Sequence, residues 1–227
     1  MSEKKCESSF KKLILIGVTV GIISGFGAYL FFKGLEYGTA FVMEYLFGAY
    51  LPLEGQTAAE VAAWTPPPVI WLILPIICAG ALLSGLIVYF FAPEAEGHGT
   101  DAAIRAYHGD GKIRWRVPIV KAVASIITIS TGGSAGREGP TAQIAAGFGA
   151  FIADIFHLSP RERKIAIATG IGAGIGTIFK APLGGAILAA EILYLRDFEA
   201  DVVMPSFLAS IIGYSIFGFF EGYAPIF

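Results

Sequence analysis

Two short segments gather the residues able to do chemistry: Gly97-His98-Gly99-Thr100-Asp101 and Gly136-Arg137-Glu138-Gly139-Pro140. In each, glycines permit a sharp turn just before a stretch that can form a helix. A helix that begins away from water presents unpaired backbone N–H groups and the positive end of its dipole, about half a unit charge. Such an end attracts anions. Two of them, at Gly97 to Asp101 and at Gly136 to Thr141, would create an anion site without a full buried cation, which would hold an ion too tightly for fast passage. Glu138 stands at the mouth of the second. Its carboxylate can occupy the place of an anion, and protonation or movement of the side chain then vacates it.

Other chemistries find little support. The three His residues are scattered without metal-ligand spacing, and a net charge of −2 gives no reason to expect nucleic acid. No nucleophile and base occur together at membrane depth, so the expectation is a non-enzyme without cofactor or metal. Gly170, Gly172, Gly174 and Gly176 contain a nucleotide-loop-like spacing, but neither a preceding strand nor a phosphate-binding lysine accompanies them. Close packing of helices through small residues accounts for them better.

The elements that hold the two segments are those of a bilayer protein. The 227 residues are 55% hydrophobic and 15% charged, with a mean hydropathy of +0.69. Apolar runs at Leu13 to Phe32, Val69 to Phe91, Ile165 to Phe179 with Leu183 to Leu195, and Val202 to Phe220 suffice, singly or as broken pairs, to cross about 30 Å of hydrocarbon. A first helix from about Phe10 to Tyr50 exceeds that thickness and must tilt or project. The basic opening MSEKKCESSFKK precedes an apolar run too long for a signal peptide, so it is expected to be retained as a cytoplasmic tail, residues 1–12, ahead of a membrane domain, residues 13–227. Cys6 and Cys78 are expected to be free thiols, and Lys33 to neutralise Glu36 one turn away.

Cation placement sets the topology. Lys4, Lys5, Lys11 and Lys12 precede the first helix, Arg105, Lys112, Arg114 and Arg116 follow the second, and Arg161, Arg163, Lys164 and Arg196 come later. All are expected on the cytoplasmic side of a cell (inner) membrane, whereas Leu51 to Pro68, with Glu54 and Glu60 but no Lys or Arg, suits an outside loop. Between Lys112 and Arg161 the chain must therefore cross and return. That passage contains Ser130 to Pro140, STGGSAGREGP, which lipid could not face; it is expected to be a re-entrant break followed by a helix from about Thr141 to Phe156. The fold class is all-α, with broken and re-entrant membrane helices. Lys180, before Ala181-Pro182, is expected at the break between two of them.

GREGPTAQIAAGFGAFIADIF, Gly136 to Phe156, resembles the second anion-site loop and following helix of the CLC chloride channels and chloride/proton antiporters. APLGGAILAAE, Ala181 to Glu191, resembles a later helix of the same half, and with the Gly97 segment the likeness runs in order along nearly the whole chain. It implies one half of an inverted-repeat fold, homodimeric when complete, this polypeptide being either a fragment or one of two separate chains that assemble, and chloride or a similar anion as the transported ligand. By the same resemblance Glu138 is the gating glutamate, and Gly97, His98, Gly99, Gly136, Arg137, Gly139 and Pro140 belong to the anion site.

Two positions depart from the family pattern. His98 and Asp101 replace its usual serine and proline, which leaves the choice among chloride, fluoride and nitrate open. His98 can donate N–H to an anion or simply pack a tight turn; Asp101 is most simply a capping carboxylate. Ile192 occupies the position of the family's proton-relay glutamate, beside Glu191, which reads as a structural carboxylate. Isoleucine carries no proton, so the expectation is passive anion conduction gated by Glu138; the alternatives are an antiporter half with another proton path, and a membrane fragment without transport of its own.

Overall fold

The computed structural model describes residues 3–48, 70–193 and 199–224. The expected outside loop from Leu51 to Pro68, and Arg196, lie outside the described residues. Among those described are eight α-helices and no strand: α1 (Glu3–Ala40), α2 (Ile73–Phe91), α3 (Thr100–His108), α4 (Arg116–Ser130), α5 (Glu138–Ile155), α6 (Pro160–Ile178), α7 (Pro182–Glu191) and α8 (Ala200–Glu221). The all-α expectation holds. α1 starts at Glu3 and runs straight through residue 12, where the tail was expected to end, before loosening into a π-helical turn, Phe41–Leu46. At about 1.5 Å per residue its 38 residues reach near 57 Å. Among the described residues three stretches are long and apolar enough to cross a membrane, Phe10–Leu46, Ile73–Phe91 and Ala200–Glu221.

The remaining helices end where the sequence breaks them. Ser159 opens α6 with a capping box: its hydroxyl accepts from the Glu162 N–H, the Glu162 carboxylate accepts from the Ser159 N–H at 2.9 Å, and Pro160 takes the first helical position. Between α6 and α7 the chain turns through Lys180, whose φ of 53° places it in the left-handed region. Pro182 then starts α7. Lys180 thus stands at the expected break, its ammonium donating to the carbonyls of Ala224 at 3.1 Å and Glu221 at 3.4 Å.

Small residues bring the helices together. Gly17, Gly21 and Gly25 recur every fourth position along one side of α1 and face Pro205, Ala209 and Gly213 of α8; a Cβ on Gly21 would stand 2.8 Å from the Ala209 backbone. On α5 and α6, a Cβ on Gly149 would overlap the Ala166 carbonyl and one on Gly170 the Ala145 carbonyl. A Cβ on Gly172 would stand 2.9 Å from the Ala189 side chain of α7, and one on Gly176 2.9 Å from the Ser210 hydroxyl of α8. The glycine row of α6 is therefore a packing surface, as its sequence implied, and Ala166, Ile167, Ala168, Ile171 and Ile178 beside it are fully buried.

Charges collect at the two ends of the bundle. At one end Lys12 meets Glu162 at 2.9 Å, Arg161 pairs with Asp201, Arg163 meets Asp154 at 2.5 Å and reaches the Gly111 carbonyl, and Arg114 pairs with Glu94. The separate cation clusters of the sequence thus share one face. At the other end Lys33 bridges Glu36 at 2.7 Å, as expected, and also Glu221 at 2.9 Å. Cys78 is a free, exposed thiol. The Cys6 side chain is not among those described.

Two outcomes follow. Gly170→Leu forces α5 off α6 and lowers stability by about 1–3 kcal/mol, read as a reduced unfolding temperature in detergent. At the capping box, partial burial pushes the Glu162 carboxyl up, but hydrogen bonds from Ser159 and Lys12 and the Lys12 charge outweigh it and hold the group below the ordinary carboxylate range. Its contribution is complete above the unfolded value of about 4.3 and is lost as pH falls through the lower folded value. Glu162→Gln should cost about 0.5–2 kcal/mol at pH 7 and flatten the acid limb of the stability profile; an unchanged profile would exclude this role.

Candidate anion site

The first mouth is built by backbone conformation. After α2 ends at Phe91, a single turn, Pro93–Ala95, leads to Gly97 with φ 81° and Gly99 with φ 110°. Both lie in the left-handed region that only glycine adopts without strain. Gly99 is the N-cap of α3 and no side chain caps it, so the first N–H groups of α3 are left to whatever lies in front of them. The reading of Asp101 as a capping carboxylate is therefore corrected. Capping needs a side chain one position before the helix, and Asp101 lies inside the first turn.

The second mouth repeats the arrangement. Beyond α4 the chain turns at Thr131 to Gly133, with Gly132 at φ 94°, and re-enters α5 at Glu138, three residues before the expected start at about Thr141. Arg137 is the N-cap, again without a side-chain cap. The free donors here are those of Glu138 and Gly139. Pro140, buried in the same turn, has no N–H, so it shapes the mouth and donates nothing to an anion.

The two mouths touch. A Cβ on Gly99 would stand 2.8 Å from the carbonyl carbon of Gly139, and one on Gly139 would stand 2.7 Å from Nδ1 of His98. Only glycine at both positions allows the starts of α3 and α5 to meet, with the His98 ring laid against Gly139. The Glu138 carboxylate folds back over its own loop, where a Cβ on Gly136 would come within 2.6 Å of Oε1.

In front of them lies a cavity of ≈ 660 Å³ lined by His98, Thr100, Asp101, Ile104 and Glu138 on one side and by Ile175, Phe179, Ala181, Gly184, Gly185, Leu188 and Ile192 of α6, α7 and their junction on the other. Of the residues expected at the site, His98 and Glu138 line the cavity, and Gly99, Gly136 and Gly139 form the mouths behind them. Gly97 is turned the other way, its carbonyl accepting from Lys121 at 2.6 Å. Arg137 is held over the rings of Phe32 at 5.9 Å and Phe179 at 5.8 Å, so it flanks the wall. Glu191 is exposed at the end of α7, away from the lining.

Lys121 went unnoticed in the sequence. It stands on α4, 4% exposed, and donates to the carbonyls of Ala95 at 3.0 Å and Gly97 at 2.6 Å, directly behind the first mouth. The expectation of an anion site without a full buried cation is thereby corrected. The ammonium is present but spends its donors on carbonyls and does not line the cavity, so it adds positive potential without offering an ion a direct contact. A lone lysine in the apolar run from Val117 to Ile129 was the available signal.

A family model described as voltage gated chloride channel matches residues 80–227. An uncharacterized protein of Methanocaldococcus jannaschii is 36% identical over 177 residues, 78% of this chain and 43% of its own length. The H(+)/Cl(−) exchange transporter ClcA of Citrobacter koseri is 30% identical over 218 residues, 94% of this chain and 43% of its own. Among solved structures, a slow cyanobacterial Cl−/H+ antiporter superposes with a TM-score of 0.75 at 24% identity, covering 94% of this chain and 48% of that one. A CLC-type fluoride/proton antiporter gives 0.74 at 18%, covering 99% and 49%. At these identities the two structures speak to the fold, which is that of one half of an antiporter. The chain spans about 43% of the length of the curated relatives it matches.

Replacing the buried ammonium tests this geometry. Lys121→Met leaves the Ala95 and Gly97 carbonyls unpaired and should cost about 1.5–3 kcal/mol for each charged hydrogen bond lost. A melting profile identical to that of the unsubstituted protein would show that Lys121 does not hold the loop.

Proposed function

The chain belongs to the voltage-gated chloride channel family, and from that premise we propose that it forms the first half of a proton-coupled anion antiporter of an integral membrane protein. The single observation that supports this most is the meeting of two uncapped helix mouths at Gly99 and Gly139 with Glu138 across one of them. The mouths supply N–H donors and positive potential to a small anion. Glu138 supplies a carboxylate that competes for the same place while ionised and withdraws when neutral. Entry of an anion is then tied to protonation of Glu138, and return of the ionised carboxylate to release of both the proton and the anion.

Ile192 had favoured passive conduction. The antiport reading now has better support, because the relatives with assigned transport are named as H(+)/Cl(−) exchangers. Ile192 still lines the cavity and still carries no proton, so any proton route to Glu138 uses another residue. Chloride is the anion named in those relatives and is the one proposed here. His98, against Gly139, is the residue placed to modify that preference.

Liposome reconstitution tests the reading. A chloride gradient across vesicles containing the protein is expected to drive proton movement against a pH gradient. Glu138→Gln, which imitates the protonated carboxyl permanently, should retain chloride flux and lose coupled proton flux. Chloride flux with no accompanying proton movement would return the protein to passive conduction, and absence of any flux would remove transport from this chain.

A further inference from the structure

We propose that Asp101 carries the protons that reach Glu138 from the cation-rich face, an inference that rests on the antiport reading. The cavity wall contains three side chains able to gain and lose a proton, His98, Asp101 and Glu138; the rest are Thr100, glycines, alanine and apolar side chains. His98 is packed on Gly139 at the mouth, beside Glu138. Asp101 lies further along α3, and Ile104, three residues on, lines the cavity with it, so this face of α3 follows the cavity away from the mouth. The helix ends at His108, whose Nε2 is 2.6 Å from the carbonyl of Leu193, next to Ile192. The direction from Glu138 past Asp101 is therefore the direction toward the end of the cavity that Leu188 and Ile192 close with hydrocarbon.

Nothing else claims the Asp101 carboxylate. It caps no helix, is exposed, and forms no ion pair among the described residues. The charged groups around it are Arg105 one turn further on α3, Lys121 behind Gly99 with its donors on carbonyls, Arg137 stacked between Phe32 and Phe179, and Glu138 in the same cavity lining. From α6 and α7 the neighbours are Ile175, Leu188 and Ile192, which cannot titrate.

The transfer balances simply. The Asp101 carboxylate takes a proton from water on the cation-rich side; its O–H bond then breaks as the proton passes, directly or through water in the cavity, to the Glu138 carboxylate. Asp101 is again an anion and Glu138 is neutral. The neutral side chain leaves the mouth, and chloride enters it.

The test compares the unsubstituted protein, purified from the membrane and reconstituted in liposomes, with Asp101→Asn, Asp101→Glu and Glu138→Gln, recording chloride and proton fluxes together. Asp101→Asn is expected to reduce proton flux about tenfold or more while chloride flux persists. Asp101→Glu should restore coupling. Proton flux in Asp101→Asn equal to that of the unsubstituted protein overturns the role of Asp101 while leaving antiport intact. Parallel loss of both fluxes in Asp101→Asn also overturns it, in favour of a structural part at the start of α3. If the unsubstituted protein moves chloride without protons, the antiport reading itself fails, and this role fails with it.

Discussion

Inside a membrane a backbone N–H without a partner has no water to turn to, and this structure is arranged around two helices that begin there. Each unpaired group costs several kcal/mol in hydrocarbon. The starts of α3 and α5 avoid lipid by facing each other across Gly99 and Gly139 and by opening on a shared cavity. The same deficit that would be ruinous against lipid becomes, in the function proposed above, an affinity for anions. Lys121, Phe32 and Phe179 serve this arrangement from outside: the first holds the glycine loop by its carbonyls, and the two rings hold the Arg137 guanidinium beside the second mouth.

Close helix packing is what makes such an enclosure possible. Hydrocarbon gives apolar side chains little reason to prefer one another over lipid, so contact between backbones matters more than hydrophobic area. Glycines on α1, α5, α6 and α7 bring neighbouring backbones to within a Cβ of collision. α6 is buried along nearly its whole length by this means. A helix so confined fixes Ile175 and Phe179 in the cavity wall, and the Lys180 turn aims α7 back across the same space.

Much of this was legible from residue types. The breaks at STGGSAGREGP and at Lys180-Ala181-Pro182 follow from glycine, proline and charge at membrane depth, and the common face of the basic clusters follows from their spacing. Glu138 at a helix mouth needed no structure to locate. What escaped depends on helix phase and on distant contacts. Asp101 was assigned to a cap because capping is a local rule, whereas its place in the cavity depends on how α3 is rotated relative to α6 and α7. Lys121 escaped because its partners, Ala95 and Gly97, lie more than twenty positions away and are carbonyls, which no sequence displays. The mutual need for glycine at 99 and 139 is invisible until the two loops meet.

The ion pair between Lys12 and Glu162 joins residues 150 positions apart, and this has a bearing on how the protein is made. At about 5–20 residues per second, a ribosome needs roughly 8–30 s to supply Glu162 after Lys12 has emerged. α8, which buries the glycine face of α1, arrives later still. During that interval α1 lies in the membrane with Gly17, Gly21 and Gly25 uncovered, a surface suited to any other helix with small residues. Of the described helices that α1 packs against, the one covering its glycine face is made last, and the long apolar length of α1 holds it in the membrane until then.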